Sequence, residues 1–144
     1  MIESDTIKLL RECDAGIKMG VSSIDEVMPH VKSEKLYSML NKCKDQHESL
    51  EKETNELLMS YDDKGKNPNP MAKGMSWIKT NMMLAMKESD STISDIMTDG
   101  CNMGVKSLSR YLNKYAAADE KSKDITKRLI SLEENLSKDI RGYL

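Results

Sequence analysis

The chain has 144 residues with 22 Lys and Arg against 24 Asp and Glu, a net charge of -2, five Tyr, one Trp and no Phe; this fits one domain, 1–144, with a single core, in a composition that favours helix over strand. The two signs of charge are mixed along the chain and no apolar run nears the roughly 20 residues that span a bilayer, which argues against nucleic acid and membrane as partners. Met1-Ile-Glu-Ser-Asp carries no basic-then-apolar leader, so a cytoplasmic protein is expected.

From Ser4, apolar and small residues recur in alternating steps of four and three (Thr6, Leu10, Cys13, Ile17, Gly20, Ile24, Val27), the seam of a helix over 4–28 that Met28-Pro29-His30 ends. Ser33 is a suitable N-cap for a second helix over 33–60, with Leu36, Leu40, Cys43, His47, Leu50, Thr54 and Leu57 on its seam. The link is short, so the two pack antiparallel, folded about residue 30. Asp62 to Pro70 is dense in turn formers and opens a crossover over 62–90. Within it, Met71, Met75, Ile78, Met82 and Met86 around Trp77 define a short amphipathic helix. Met82 and Met83 face different ways on it, which makes this Met-rich segment the expected surface of a homo-oligomer. A third helix over 91–115 carries Ile93, Met97, Cys101, Gly104, Val105, Leu108 and Leu112, and a fourth over 118–142 carries Ile125, Leu129, Leu132, Leu136 and Ile140. The expected fold class is all-α: a four-helix bundle of two hairpins, 1–61 and 91–144, joined by the long crossover.

The two hairpins look like copies of one unit. Cys13-Asp-Ala-Gly-Ile-Lys18 matches Cys101-Asn-Met-Gly-Val-Lys106, and aligning the second and fourth helices sets Glu48 on Glu134, Leu50 on Leu136 and Lys52 on Lys138. Gly74-Met-Ser-Trp77-Ile, followed by Ile96-Met-Thr-Asp-Gly100-Cys101 and the helix bearing Tyr111, resembles the bacterial ferritin-like domain proteins, distantly related to rubrerythrin. That resemblance implies a ferritin-like bundle and, in its metal-binding members, two irons held by lone Glu residues and Glu-x-x-His pairs. Here Cys13 and Cys101 stand at the lone-Glu positions, Lys44-Asp-Gln-His47 at the first pair and Ile130-Ser-Leu-Glu133 at the second. Too few carboxylates remain to bridge and charge-balance two cations, so a di-iron oxidase or iron-binding protein is the weakest reading.

Three cysteines at wide spacing make no disulfide framework and are expected as free thiols or metal ligands. His47 lies on an apolar seam, where it serves either as a hydrogen-bonded core residue or as a ligand. Folding about residue 30 brings Cys13 level with His47 and the repeat adds Cys101. Glu133 or Glu134 then completes a set that suits tetrahedral zinc, with Cys43 one turn from His47 as an alternate ligand. In the structural reading the cysteines are small core hydrophobes and no cofactor is bound. No phosphate loop, nucleophile triad or Glu-x-x-His pattern occurs, so no catalytic residue is assigned. The leading expectation is a non-enzymatic structural or binding module, ahead of a mononuclear zinc-like or thiol site at the bundle centre.

Overall fold

The computed structural model describes residues 3–66 and 89–144, with side chains from Asp5 onward. The expected crossover helix with Trp77 and its methionines lies outside the described residues. Those described form four long helices, α1 (Glu3–Val27), α2 (Glu34–Ser60), α3 (Asp90–Lys114) and α4 (Glu120–Asp139), with 3₁₀ turns at Met28–His30 and Arg141–Tyr143. No strand occurs among them. The last helix is shorter than the sequence suggests because the chain tightens into the 3₁₀ turn after Ile140.

Each of the last three helices begins where a short polar side chain can accept from an otherwise unpaired amide. Ser33 accepts from Leu36 N, Ser89 from Thr92 N and Asp119 from Ser122 N. The caps also set the topology. Asp90, the first residue of α3, accepts from the backbone amides of Lys32 and Ser33 at 2.8 and 3.0 Å, which fixes the start of α3 on the α1–α2 bend. Ser33 Oγ and Tyr143 Oη lie 3.1 Å apart at the same end. At the opposite end Thr6 Oγ1 accepts from Asp119 N and Asp5 from Ala117 N. So α2 and α3 run parallel, each antiparallel to its hairpin partner, and the connection between them joins opposite ends of the bundle. Beyond the hairpin pairs, α1 also packs on α3 and α4, and α2 on α4.

Seam residues fill the interior in three clusters. Ile24, Val27, Leu36, Leu40, Cys43, Ile93, Met97, Cys101, Leu136 and Ile140 close the bend end. Ile17, Leu50, Leu108 and Leu129 occupy the middle, and Leu10, Cys13, Leu58 and Ile125 the far end. Leu58 is buried where the seam gave Leu57, because Leu50, Thr54 and Leu58 follow successive steps of four instead of alternating with three.

A polar latch holds the chain after α2 against α1. Asp14 is fully buried, and its Oδ2 accepts from Lys18 Nζ and from Lys66 N, both at 2.9 Å. Gly65 takes a φ of +82°, and a β-carbon there would collide with that carboxylate, so glycine serves both needs. Arg11 bonds Asp63 and Lys66 bonds Glu12 alongside. Leu136 is 4 % exposed in the bend-end cluster, and Leu136→Ala is expected to cost about 2–5 kcal/mol through the cavity left behind. A denaturant midpoint equal to that of the unchanged protein would refute that packing.

Candidate functional site

Two polar side chains, the buried His47 and the part-buried Glu133, face glycines across the bundle. His47 is 2 % exposed, and a β-carbon at Gly20 would lie 2.8 Å from both its Cδ2 and Nε2 atoms. Its Nδ1 donates to the Cys43 carbonyl at 2.8 Å, a bond made within one helical turn. That bond sets the tautomer: Nδ1 holds the proton, leaving Nε2 a bare lone pair with no partner. Burial holds the imidazole below its usual pKa, so it is neutral at pH 7.

Glu133 repeats the arrangement on α4. A β-carbon at Gly104 of α3 would overlap its carboxylate, and its Oε2 is shut off from solvent without a hydrogen-bond partner. Burial alone pushes this carboxyl up to about 8, so it too is neutral at pH 7. The register of the helices brings both groups level. Arg128 forks onto Glu53 with two bonds of 2.8 Å, tying antiparallel α2 and α4 at that point; Glu133 is five residues on from Arg128 and His47 six back from Glu53.

A cavity of about 470 Å³ occupies this level between α1 and α3. Gly16, Met19 and Gly20 wall one side and Met97, Gly100 and Gly104 the other, while His47 and Glu133 reach it from the helices behind. Lys66, Glu12 and Tyr111 border it as well. Four glycines, two per helix at a spacing of four, line the space: β-carbons at Gly20 and Gly104 would collide with His47 and Glu133, and one at Gly100 would enter open space.

Of the residues singled out from the sequence, His47, Cys101 and Glu133 line this cavity, with Cys43 Sγ 3.5 Å from His47 Nδ1. Cys43 and Cys101 share the bend-end cluster. Cys13 does not join them. It sits in the far-end cluster, its Sγ 3.1 Å from Thr126 Oγ1. Two geometric reasons separate it. The α1–α2 hairpin folds nearer Ser33 than residue 30, so His47 meets Gly20 where Cys13 was expected. And α1 runs antiparallel to α3, so positions equivalent in the repeat lie toward opposite ends. Glu134 is solvent-exposed. Among the described residues no three His, Cys, Asp or Glu side chains are grouped to hold a metal ion. The glycines opposite His47 and Glu133 were the signal missed, their spacing being visible in the sequence. No protein-family model, curated protein or solved structure matches this chain.

All three cysteines are free and buried. Burial pushes Cys13 and Cys43 up to about 12 and raises Cys101 as well, so none supplies thiolate at neutral pH. Alkylation by iodoacetamide should therefore be slow for each in the native protein and fast after unfolding; fast native labelling of any one would contradict its burial.

Two carboxyls make the pH dependence of stability. Glu133 ionises near 8 in the fold, as does Glu51, raised by burial and by the neighbouring Asp14 carboxylate, against 4.5 when unfolded. The folded state then holds more protons than the unfolded one between these values, so their contribution falls as pH rises from about 4.5 to 8. His47, with its pKa lowered from 6.5, acts in the opposite sense and is exhausted above that value. Between pH 6.5 and 8 the denaturant midpoint should fall, and should fall less in Glu133→Gln. Identical slopes for the two proteins would show that Glu133 is not held neutral.

Proposed function

We propose that this chain is a non-enzymatic helical bundle of ferritin-like type that works as a binding module, holding a small, largely apolar molecule in the space between α1 and α3. The observation that carries the reading is that His47 Nε2 and Glu133 Oε2, both buried and both without a partner, border one cavity of about 470 Å³. Unpaired buried polar atoms each cost roughly 1–3 kcal/mol, a penalty that a bound hydrogen-bonding ligand removes. The remaining walls are mostly apolar or glycine, with Ser23, Ser107, Tyr111 and the Glu12–Lys66 pair adding polar groups, and the volume falls within the usual range for small-molecule pockets, about 300–1,000 Å³. The order of helix directions supports the ferritin-like part, since two hairpins whose connection joins opposite ends are the arrangement of such bundles.

Gly100 borders the cavity and a β-carbon there would meet nothing within 4 Å, so Gly100→Leu is the substitution expected to take up the space, and it improves helix propensity. The neutral solvatochromic dye prodan should bind the unchanged protein with blue-shifted emission, and Gly100→Leu should weaken it by tenfold or more. Equal binding by the two would overturn the assignment. Metal analysis of protein purified without chelator runs alongside: one zinc per chain would favour a mononuclear site near His47, Cys43 and Cys101 instead, and two irons a di-metal site.

A further inference from the structure

We infer that the ligand class is a primary amine on an apolar body, bound as the ammonium with its N–H groups directed to His47 and Glu133. The inference rests on the binding-module reading above and adds the chemistry of the polar end. The hydrogen-bonding state of the two groups decides it. His47 Nδ1 spends its proton on the Cys43 carbonyl at 2.8 Å, so the ring can only accept at Nε2. A ligand must therefore bring a donor. Glu133 has no basic side chain as partner and an unpaired Oε2; once ionised it accepts and carries a full charge. An ammonium supplies N–H groups to both acceptors and a countercharge to the carboxylate. A carboxylate or phosphate ligand suits the pair less well: it faces a bare lone pair at Nε2, can be met only by the single proton of un-ionised Glu133, and is repelled once that carboxyl ionises.

The surroundings leave that countercharge to the ligand. His47 and Cys43 from α2 and Cys101 and Tyr111 from α3 are the titratable neighbours, and all are neutral at pH 7. From α1 the cavity meets glycine, alanine, methionine and Ser23 at this level, while Lys66 and Glu12, at its border, are paired with each other. The unpaired carboxyl, in apolar surroundings, stays protonated while the cavity lacks a cation. Binding then balances as an ammonium plus a neutral carboxylic acid giving an ammonium–carboxylate pair and one proton released to solvent. Proton release on binding is thus a signature that a neutral ligand of the same shape does not share. The apolar body lies along Met19, Ile24, Ile96 and Met97.

Isothermal titration calorimetry of the full chain at pH 7 with octylamine, octanol and octanoate, repeated in phosphate and in Tris, tests this. Octylamine should bind at least tenfold more tightly than octanol, octanoate should not bind, and the buffer dependence of the heat should give close to one proton released per amine. Glu133→Gln, which keeps the shape, should weaken octylamine tenfold or more, abolish proton release and leave octanol unchanged. His47→Gln should weaken octylamine while leaving its proton release in place. Octanol binding as tightly as octylamine, or amine binding without proton release, would overturn the amine assignment and leave the binding module standing. Failure of octylamine and octanol alike, with a folded circular dichroism spectrum, would overturn both.

Discussion

An imidazole can stand in the middle of this bundle only because α1 has no side chain opposite it: a β-carbon at position 20 would sit 2.8 Å from the His47 ring. The same exclusion operates between Gly104 and Glu133. Most interior positions of a bundle are filled by apolar side chains from all four helices. Here two helices withdraw to bare backbone and the other two advance polar groups into the space. The glycines are unfavourable within a helix, each by roughly 1 kcal/mol against alanine, and the buried polar atoms add their own cost. Apolar clusters above and below the layer offset both. The layer thus runs against the rules that stabilise the rest of the bundle, and among the described residues it is the one place where they are broken on all four helices at once.

The helices and their inward faces were legible from the sequence because the spacing of apolar residues is a direct imprint of helical geometry. Leu10, Ile17, Ile24, Leu40, Leu50, Ile93, Leu129 and Ile140 are buried as that spacing requires. His47 stood out for the same reason, as a polar residue on an apolar seam. Level was harder to read than face. Placing Cys13 beside His47 depended on where the hairpin turns, and a shift of a few residues in the turn moves α1 past α2 by about two helical turns at this depth. Placing Cys101 beside Cys13 depended on the relative direction of α1 and α3, which is fixed by Asp90 on the amides of Lys32 and Ser33, a contact across 57 and 58 positions that no local pattern encodes. Glycine carried no weight in a search for ligands, although Gly16, Gly20, Gly100 and Gly104 define the space in which His47 and Glu133 matter.

The two ends of the bundle are closed in different ways. At the bend, side-chain caps of α2 and α3 stand beside one another and Asp90 serves both, accepting from the backbone of the bend while opening its own helix. At the far end the closure is spread over the loop after α2, where Asp14, Gly65 and Lys66 interlock, and over the turn before α4. Arg11 and Asp63 add an exposed pair of modest worth. The central layer thus lies between two independently secured ends, and its glycine walls are not asked to hold the helices together.

The attachment of α1 at that far end has a consequence for synthesis. Thr6 and Asp5 accept from the amides of Asp119 and Ala117, partners 113 and 112 positions downstream. During translation the first turn of α1 leaves the ribosome long before those partners exist, whereas the rest of α1 finds α2 within the next few dozen residues. The nascent first hairpin therefore waits with the opening turn of α1 unanchored until the turn before α4 has been made.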